Sequence, residues 1–394
     1  MDRILILRSA VLGDFIFSSP AINLIREMHI DAEIYLITIQ SAHKKDRNAV
    51  KVYETKRIQP WLELLDKRVV NRIIPLESLD FGYLLKEISP QIKRINPTKC
   101  YVLTDPLVMM KGNLAKYIML KLLGVKCSIY GWRDFVKNNE ERLSADCSKR
   151  CINHVLSCLE SVLEDKTITC HELTVKFPIV TLEEGDKKAC SLWNELNLND
   201  KTVIVISPGG IKEHKIWPEI NYIKVIVCLL ENENNEIILT GTKKDIDIGR
   251  HITEHIMNCR IHNMIAKTDL PFLASILKKA SVLLGCDGGT MHLGDAVGCP
   301  VVAIMPGLEF PGGAEPWHNV DNAVRIRESC DPCYNYDFCP QGTNNCVRNI
   351  DPETVLEKIN KVNDRKKALN TIRVQINRQG KLPVLHIKNE KQSQ

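Results

Sequence analysis

Short apolar runs alternate with helical patterns along this chain, and the series occurs twice, restarting after Pro178. Strand, helix and strand in succession leave little choice of architecture, because parallel neighbours need a crossover and the crossover helices cover the sheet's faces. In the first series Ile4–Leu7, Ile34–Ile39 and Cys100–Leu103 read as strands, and Ile16–Met28 and Leu114–Leu123 as helices. The charged stretch Lys44–Arg72 carries no clear pattern. The second series runs helix Glu184–Leu196, strand Thr202–Ser207, helix Glu219–Glu231, strand Glu236–Thr240, then helices Lys244–Met257 and Pro271–Lys278. Strands Ser281–Gly285 and Val301–Met305 complete it. Asp351-Pro352-Glu353 opens a terminal helix over 351–376, with a capping side chain and a proline in the first turn. The expected fold is α/β, two Rossmann-like domains with parallel sheets over 1–176 and 177–350, then a helix and basic tail over 351–394.

Composition removes other classes. With 44% hydrophobic and 26% charged residues the chain is neither disordered nor fibrous. Its apolar runs are strand-sized and broken by charge, as in Arg3-Ile4-Leu5-Ile6-Leu7-Arg8, so no bilayer span is expected. The first residues lack the basic-then-apolar plan of a secretory signal. The 15 cysteines are odd in number and mostly single, as at Cys100, Cys127, Cys190 and Cys228, which reads as reduced thiols. A cytoplasmic protein is the expectation. Charge is divided along the chain: residues 1–176 hold 27 Lys+Arg against 21 Asp+Glu, 177–364 hold 18 against 26, and 365–394 hold 8 against 1. Basic outer parts around an acidic second half suit an anionic membrane surface, where each basic residue contributes about 1 kcal/mol. Nucleic acid, or plain solvated charge, would account for the same numbers.

Three strand-to-helix turns carry the residue types of a binding site. Arg8-Ser9-Ala10-Val11-Leu12-Gly13-Asp14 lies where the first strand hands over to the first helix, and ligands of open parallel sheets bind at that edge. Gly13 permits close backbone approach; Asp14 sits at a helix start, either as a cap or as a working carboxylate. Neither G-x-G-x-x-G nor G-x-x-x-x-G-K-[ST] occurs, which argues against dinucleotide and Walker-type sites. After the second domain's first strand comes Pro208-Gly209-Gly210, a plain turn or a set of N–H donors for an anion, with Lys215 close behind as a point charge for phosphate. Trp217 is expected to pack, and Pro218 to begin the next helix. Gly285-Cys286-Asp287-Gly288-Gly289-Thr290-Met291-His292 is the richest turn, because Gly288 and Gly289 expose N–H groups at a helix start beside the Thr290 hydroxyl, His292 and Asp287.

These segments, with Lys215-Ile216-Trp217-Pro218 and Gly298-Cys299-Pro300-Val301-Val302, resemble glycosyltransferase family 9, the lipopolysaccharide heptosyltransferases, over residues 1 to about 360. The resemblance implies a GT-B architecture: two Rossmann-like domains facing across a cleft, the first for acceptor and the second for nucleotide-sugar, with the C-terminal helix crossing back. It implies transfer of a heptose from ADP-heptose to the lipopolysaccharide inner core, with inversion and with no metal or other cofactor. Asp14 matches the proposed general base, and Gly13, Gly209, Gly210, Lys215, Asp287, Gly288, Gly289, Thr290 and His292 match the donor site. A nucleoside diphosphate is already a good leaving group, so one base and positive density on the departing charge suffice. Lys56, Arg57 and Lys111, with Arg68, Arg72 and Lys116, are candidates for the acceptor's phosphates and acidic sugars. The implied partners are a nucleotide-sugar, an anionic glycolipid and the inner leaflet of the cytoplasmic membrane, not nucleic acid.

The chain departs from the family pattern. Cys286, Gly288 and Thr290 stand where the family usually has Asn, Ser or Thr, and Pro. In Gly241-Thr242-Lys243-Lys244-Asp245, Lys243 occupies the position where a carboxylate often meets the ribose. Two other functions fit the same fold, a nucleotide-sugar epimerase and a non-catalytic binder of nucleotide or lipid. Cys330, Cys333, Cys339 and Cys346 match a four-thiolate zinc site in number, with loose spacing; a packed, reduced loop is the alternative.

Overall fold

A computed structural model describes residues 1–9, 12–39, 60–76, 80–103, 110–132, 154–165 and 175–379, with backbone alone at 9, 39, 60, 110–113 and 367–379. In β1 (Arg3–Ser9) successive side chains take opposite sides, as a strand's period of two requires. Ile4 and Ile6 enter one buried cluster, Leu5 and Leu7 another. Helix α1 (Leu12–Met28) follows, then β2 (Glu33–Ile39) and β3 (Arg72–Leu76). A helical stretch comprises α2 (Phe81–Tyr83), a π turn (Leu84–Ile88) and α3 (Ser89–Ile95). After it come β4 (Lys99–Val102), α4 (Met110–Leu122), β5 (Ser128–Tyr130) and α5 (His154–Leu163). The five strands are parallel in the order β3-β2-β1-β4-β5. Helices α1 and α5 cover one face, while α3 and α4 cover the other.

The second half repeats the plan. It comprises α6 (Glu183–Glu195), β6 (Thr202–Ser207), α7 (Glu219–Leu230), β7 (Asn235–Leu239), α8 (Ile246–Ile256) and β8 (Ile261–Asn263). Then follow α9 (Leu270–Lys279), β9 (Val282–Cys286), α10 (Gly289–Ala296), β10 (Val301–Ile304), β11 (Ala323–Val324), α11 (Asn345–Arg348) and α12 (Pro352–Gln379). Its parallel sheet has the order β11-β10-β9-β6-β7-β8. Strands β6, β7, β9 and β10 are buried on both faces, which is why their centres read as apolar runs. The buried Asn235 and Glu236 that open β7 have partners, Asn235 Nδ2 donating to Leu229 O at 2.8 Å and Glu236 Oε2 lying 2.9 Å from His262 Nε2.

The halves share a core. One buried cluster runs from Ile4, Phe15 and Leu62 in the first to Trp193, Leu283 and Met291 in the second. Between them Leu65 and Ile179 form an isolated antiparallel bridge, flanked by Asp66 N–H to Pro178 O at 2.8 Å and Val180 N–H to Leu64 O at 2.8 Å. Asp351 caps α12 as expected, its Oδ2 accepting from Thr354 N–H at 3.1 Å. Up to residue 366, α12 packs on α7, β9 and β10 of the second half, and Lys366 Nζ donates to Ala280 O. The expected return of this helix to the first domain falls to residues whose side chains lie outside the described ones. Among the described residues no helix is long and apolar enough to cross a membrane.

Candidate functional site

In each sheet the strand order reverses beside the first strand of that half, between β1 and β4 and between β6 and β9. Crevices at the carboxyl ends of such strands are where open α/β sheets take ligands. The three turns read from the sequence leave from β1, β6 and β9. The expected first helix, Ile16–Met28, begins earlier, at Leu12, so Gly13 and Asp14 lie in its first turn. Asp14 is half-buried, and its carbonyl accepts from Arg8 Nη2 at 2.8 Å. Arg8 is 3% exposed, and its Nη1 donates to Leu103 O at 3.1 Å, so this guanidinium ties the end of β1, the chain after β4 and the start of α1 together. The sequence pattern gives Arg8 no role of its own. An arginine closing an apolar strand is the signal that could have found it.

The start of α1 meets the start of α10. A Cβ on Gly13 would lie 3.2 Å from His292 Cδ2, and one on Gly289 would lie 2.9 Å from Leu12 Cδ2. A side chain at either position would crowd the other helix start, so glycine lets the two helix starts touch there. One turn further, the Phe17 ring lies 4.2 Å from that of His292 and stacks at 5.0 Å on His154. His154 Nε2 lies 2.9 Å from Glu309 Oε2, Tyr336 O–H donates to Glu309 Oε1 at 2.8 Å, and Lys215 Nζ stands 5.7 Å over the Tyr336 ring. Lys215 pairs with Asp287 Oδ2 at 2.7 Å, and His292 Nε2 lies 3.8 Å from Asp287 Oδ1. These contacts close a circuit through both halves. Burial would push the Asp287 carboxyl up, but the Lys215 ammonium and the His292 ring outweigh it and hold the group well below the usual carboxylate range.

Other candidates turn out to have structural partners. A Cβ on Gly209 would fall 1.9 Å from Asp245 Oδ1, so close approach of that carboxylate requires glycine. Asp245 Oδ2 accepts from Thr242 N–H at 2.7 Å and Oγ1 at 2.8 Å in a capping box, and Asp245 is buried. Gly210 is exposed, and a Cβ there would have Ile216 Cγ1 as its nearest neighbour, at 3.3 Å. Trp217 packs as expected: it is fully buried, and its indole N–H donates to Ile350 O at 3.0 Å. Pro218 caps α7 from just outside, not from within its first turn. Cys286 is buried, accepts from Trp217 N–H at 3.3 Å and lies 3.1 Å from Tyr222 Oη; burial pushes its thiol up to about 11. Gly288 is extended, and its carbonyl accepts from the N–H groups of Met291 and His292 as α10 begins. Thr290 is half-buried in the first turn.

Of the acceptor candidates, Lys56 and Arg57 lie outside the described residues, and Lys111 is described by backbone alone in α4. Arg68 is exposed and paired with Asp66 at 2.6 Å. Cys330, Cys333, Cys339 and Cys346 line one small pocket with His214, Asp331 and Asn344. Among the described residues, no three His, Cys, Asp or Glu side chains are gathered closely enough to hold a metal ion.

Two parallel sheets with their ligand edges meeting at the starts of α1 and α10 define the GT-B class of fold. The family model "Glycosyltransferase family 9 (heptosyltransferase)" matches residues 169–340. The chain is 25% identical over 234 residues to the lipooligosaccharide heptosyltransferase 2 of Campylobacter jejuni subsp. jejuni serotype O:6, covering 58% of this chain and 70% of that protein. Of the other curated relatives that match, it spans about half their length or less. The solved glycosyl transferase family 9 structure from Veillonella parvula superposes with a TM-score of 0.68 at 17% identity, over 93% of this chain and 98% of that one. The E. coli ADP-heptose lps heptosyltransferase II gives 0.61 at 17% identity, over 93% and 100%. The chain is thus a relative of the family 9 glycosyltransferases, as its motifs implied.

Proposed function

We propose that this protein is an inverting heptosyltransferase that moves a heptose from ADP-heptose to the inner core of lipopolysaccharide at the cytoplasmic face of the membrane. The observation carrying this reading is the meeting of the two helix starts, with Gly13-Asp14 on one side and Asp287–His292 on the other, joined by Phe17 against His292. Support for the sugar and nucleotide comes from the relatives, whose names give a heptosyltransferase and ADP-heptose.

In this reading Asp14 removes the proton from an acceptor hydroxyl as that oxygen attacks the anomeric carbon from the face opposite the diphosphate. The anomeric C–O bond breaks with its electron pair going to the departing diphosphate, whose charge Lys215 and the N–H groups at the start of α10 stabilise. Arg8 holds the backbone of Asp14, and Asp287 holds Lys215. Because an ammonium and backbone donors meet the leaving group, no divalent ion is required, so transfer should persist in a chelator. The test is transfer from ADP-heptose to a heptose-free core acceptor. Asp14→Asn should lower kcat by on the order of a thousandfold or more while ADP binds nearly as before. Near-normal transfer by that variant would remove Asp14 from the base role.

A further inference from the structure

The basic excess of the first half sits in one place. Residues 81–132 hold eight Lys+Arg and two Asp+Glu, and the rest of 1–176 holds nineteen of each. This stretch folds as α2, the π turn, α3, β4, α4 and β5. Its helices cover the sheet face whose core is built from the first half alone, while the α1 and α5 face joins the shared core. The two helices meet through Ser89 Oγ, which donates to Leu123 O at 3.0 Å.

The outer side of this layer is apolar as well as basic. Leu114, Ile118 and Leu122 recur every four residues along α4 and are 44%, 47% and 56% exposed. Phe81 and Leu85 on the neighbouring helical stretch are 51% and 42% exposed. Lys86 in the π turn, Lys93 and Arg94 in α3, and Lys126 just after α4 are exposed as well, with Glu87 the one exposed acid among the described residues of these elements. Along α4 the Tyr117 ring stacks on Trp132 at 4.1 Å, with Lys121 Nζ 5.7 Å from the Tyr117 ring. Single exposed apolar residues are ordinary, but a helical stripe of them bordered by cations and amphipathic aromatics is the composition of a helix lying in a headgroup layer.

We propose that this face, centred on Leu114, Ile118 and Leu122, seats the protein on an anionic lipid bilayer. The apolar stripe enters the headgroup region and the surrounding lysines and arginine meet lipid phosphates. The proposal rests on the reading of the acceptor as a membrane glycolipid, and gives the acceptor half a fixed orientation to the surface that carries it.

Sedimentation of the full chain with vesicles tests it, using phosphatidylcholine alone and phosphatidylcholine mixed with an equal amount of phosphatidylglycerol. Binding is expected with the mixed vesicles only, and to fall as salt rises. L114Q/I118Q/L122Q and K86E/K93E/R94E change exposed positions, and each should weaken that binding by about tenfold or more. Both should keep ADP binding, and both should keep transfer to a delipidated, soluble acceptor. Binding that neither variant weakens, equal binding to neutral vesicles, or no binding to the mixed vesicles would each overturn the proposal. Failure of transfer to the soluble acceptor by the unaltered protein would instead overturn the enzymatic reading and leave the vesicle result standing on its own.

Discussion

At Asp287, burial opposes ionisation while Lys215 at 2.7 Å and His292 at 3.8 Å favour it, and the balance leaves the carboxyl well below its usual range. A depressed carboxyl contributes stability that is fully present above its unfolded value, about 3.9, and is lost as pH falls through the folded one. Asp287→Asn should therefore destabilise the protein by about 1.5–3 kcal/mol at neutral pH, with a deficit that shrinks below about pH 4. Urea unfolding at neutral and at acid pH measures this; an equal deficit at both would show that ionisation of Asp287 does not stabilise the fold. Gly209 and Gly210 offer a comparison within one turn. Gly209→Ala drives a methyl into the buried Asp245 carboxylate, whereas Gly210→Ala meets only the side chain of Ile216. The first should cost about 1–3 kcal/mol and the second much less, by thermal unfolding. Similar costs would mean that Gly209 is not there for packing.

At the scale of elements, the sequence showed its buried parallel strands plainly, since β6, β9 and β10 are apolar through their centres and β7 carries the run Ile237-Ile238-Leu239. It hid β3, which contains Pro75. That strand lies at the sheet's edge, where a missing N–H is tolerated, so a residue that argues against a central strand was no obstacle. The helical stretch from Phe81 was hidden too, because Gly82 and the Ser89-Pro90 pair look like punctuation while the chain passes through a π turn between them. In the site, Asp14, Lys215, Asp287 and His292 were legible because each lies within or just after a glycine-bearing strand-to-helix turn. Phe17, His154, Glu309 and Tyr336 were not, since what gives them meaning is a partner far away in the chain. Trp217 shows how packing sets an element's place. Its indole N–H holds Ile350 O, just ahead of α12. Trp217→Phe strands that carbonyl in the core at a cost of about 1–3 kcal/mol. The start of α12 should then exchange its amide hydrogens faster, and unchanged protection over 352–366 would mean other contacts hold the helix.

Across the whole molecule, the two sheets and the site depend on how the halves are joined. Domains joined by a short linker pivot freely, whereas a large apolar interface couples them. Here the shared core and the bridge at Leu65 and Ile179 form the apolar part of the joint. The polar part lies next to the site, where His154 N–H donates to Gly313 O at 3.2 Å and the His154 ring meets Glu309. His154 also stacks on Phe17, so the same residue that grips the second half braces the ring beneath His292. Glu309→Ala removes one partner each of His154 and Tyr336 while leaving Asp14 and Lys215 in place. If the joint sets the distance between base and donor, turnover should fall on the order of tenfold to a hundredfold, as misplacements of about 1 Å do, while ADP affinity changes little. If the halves are coupled, calorimetry should show one sharp melting transition for the unaltered protein and a broadened or divided one for Glu309→Ala. Normal turnover with one sharp transition would assign the coupling to the apolar core alone.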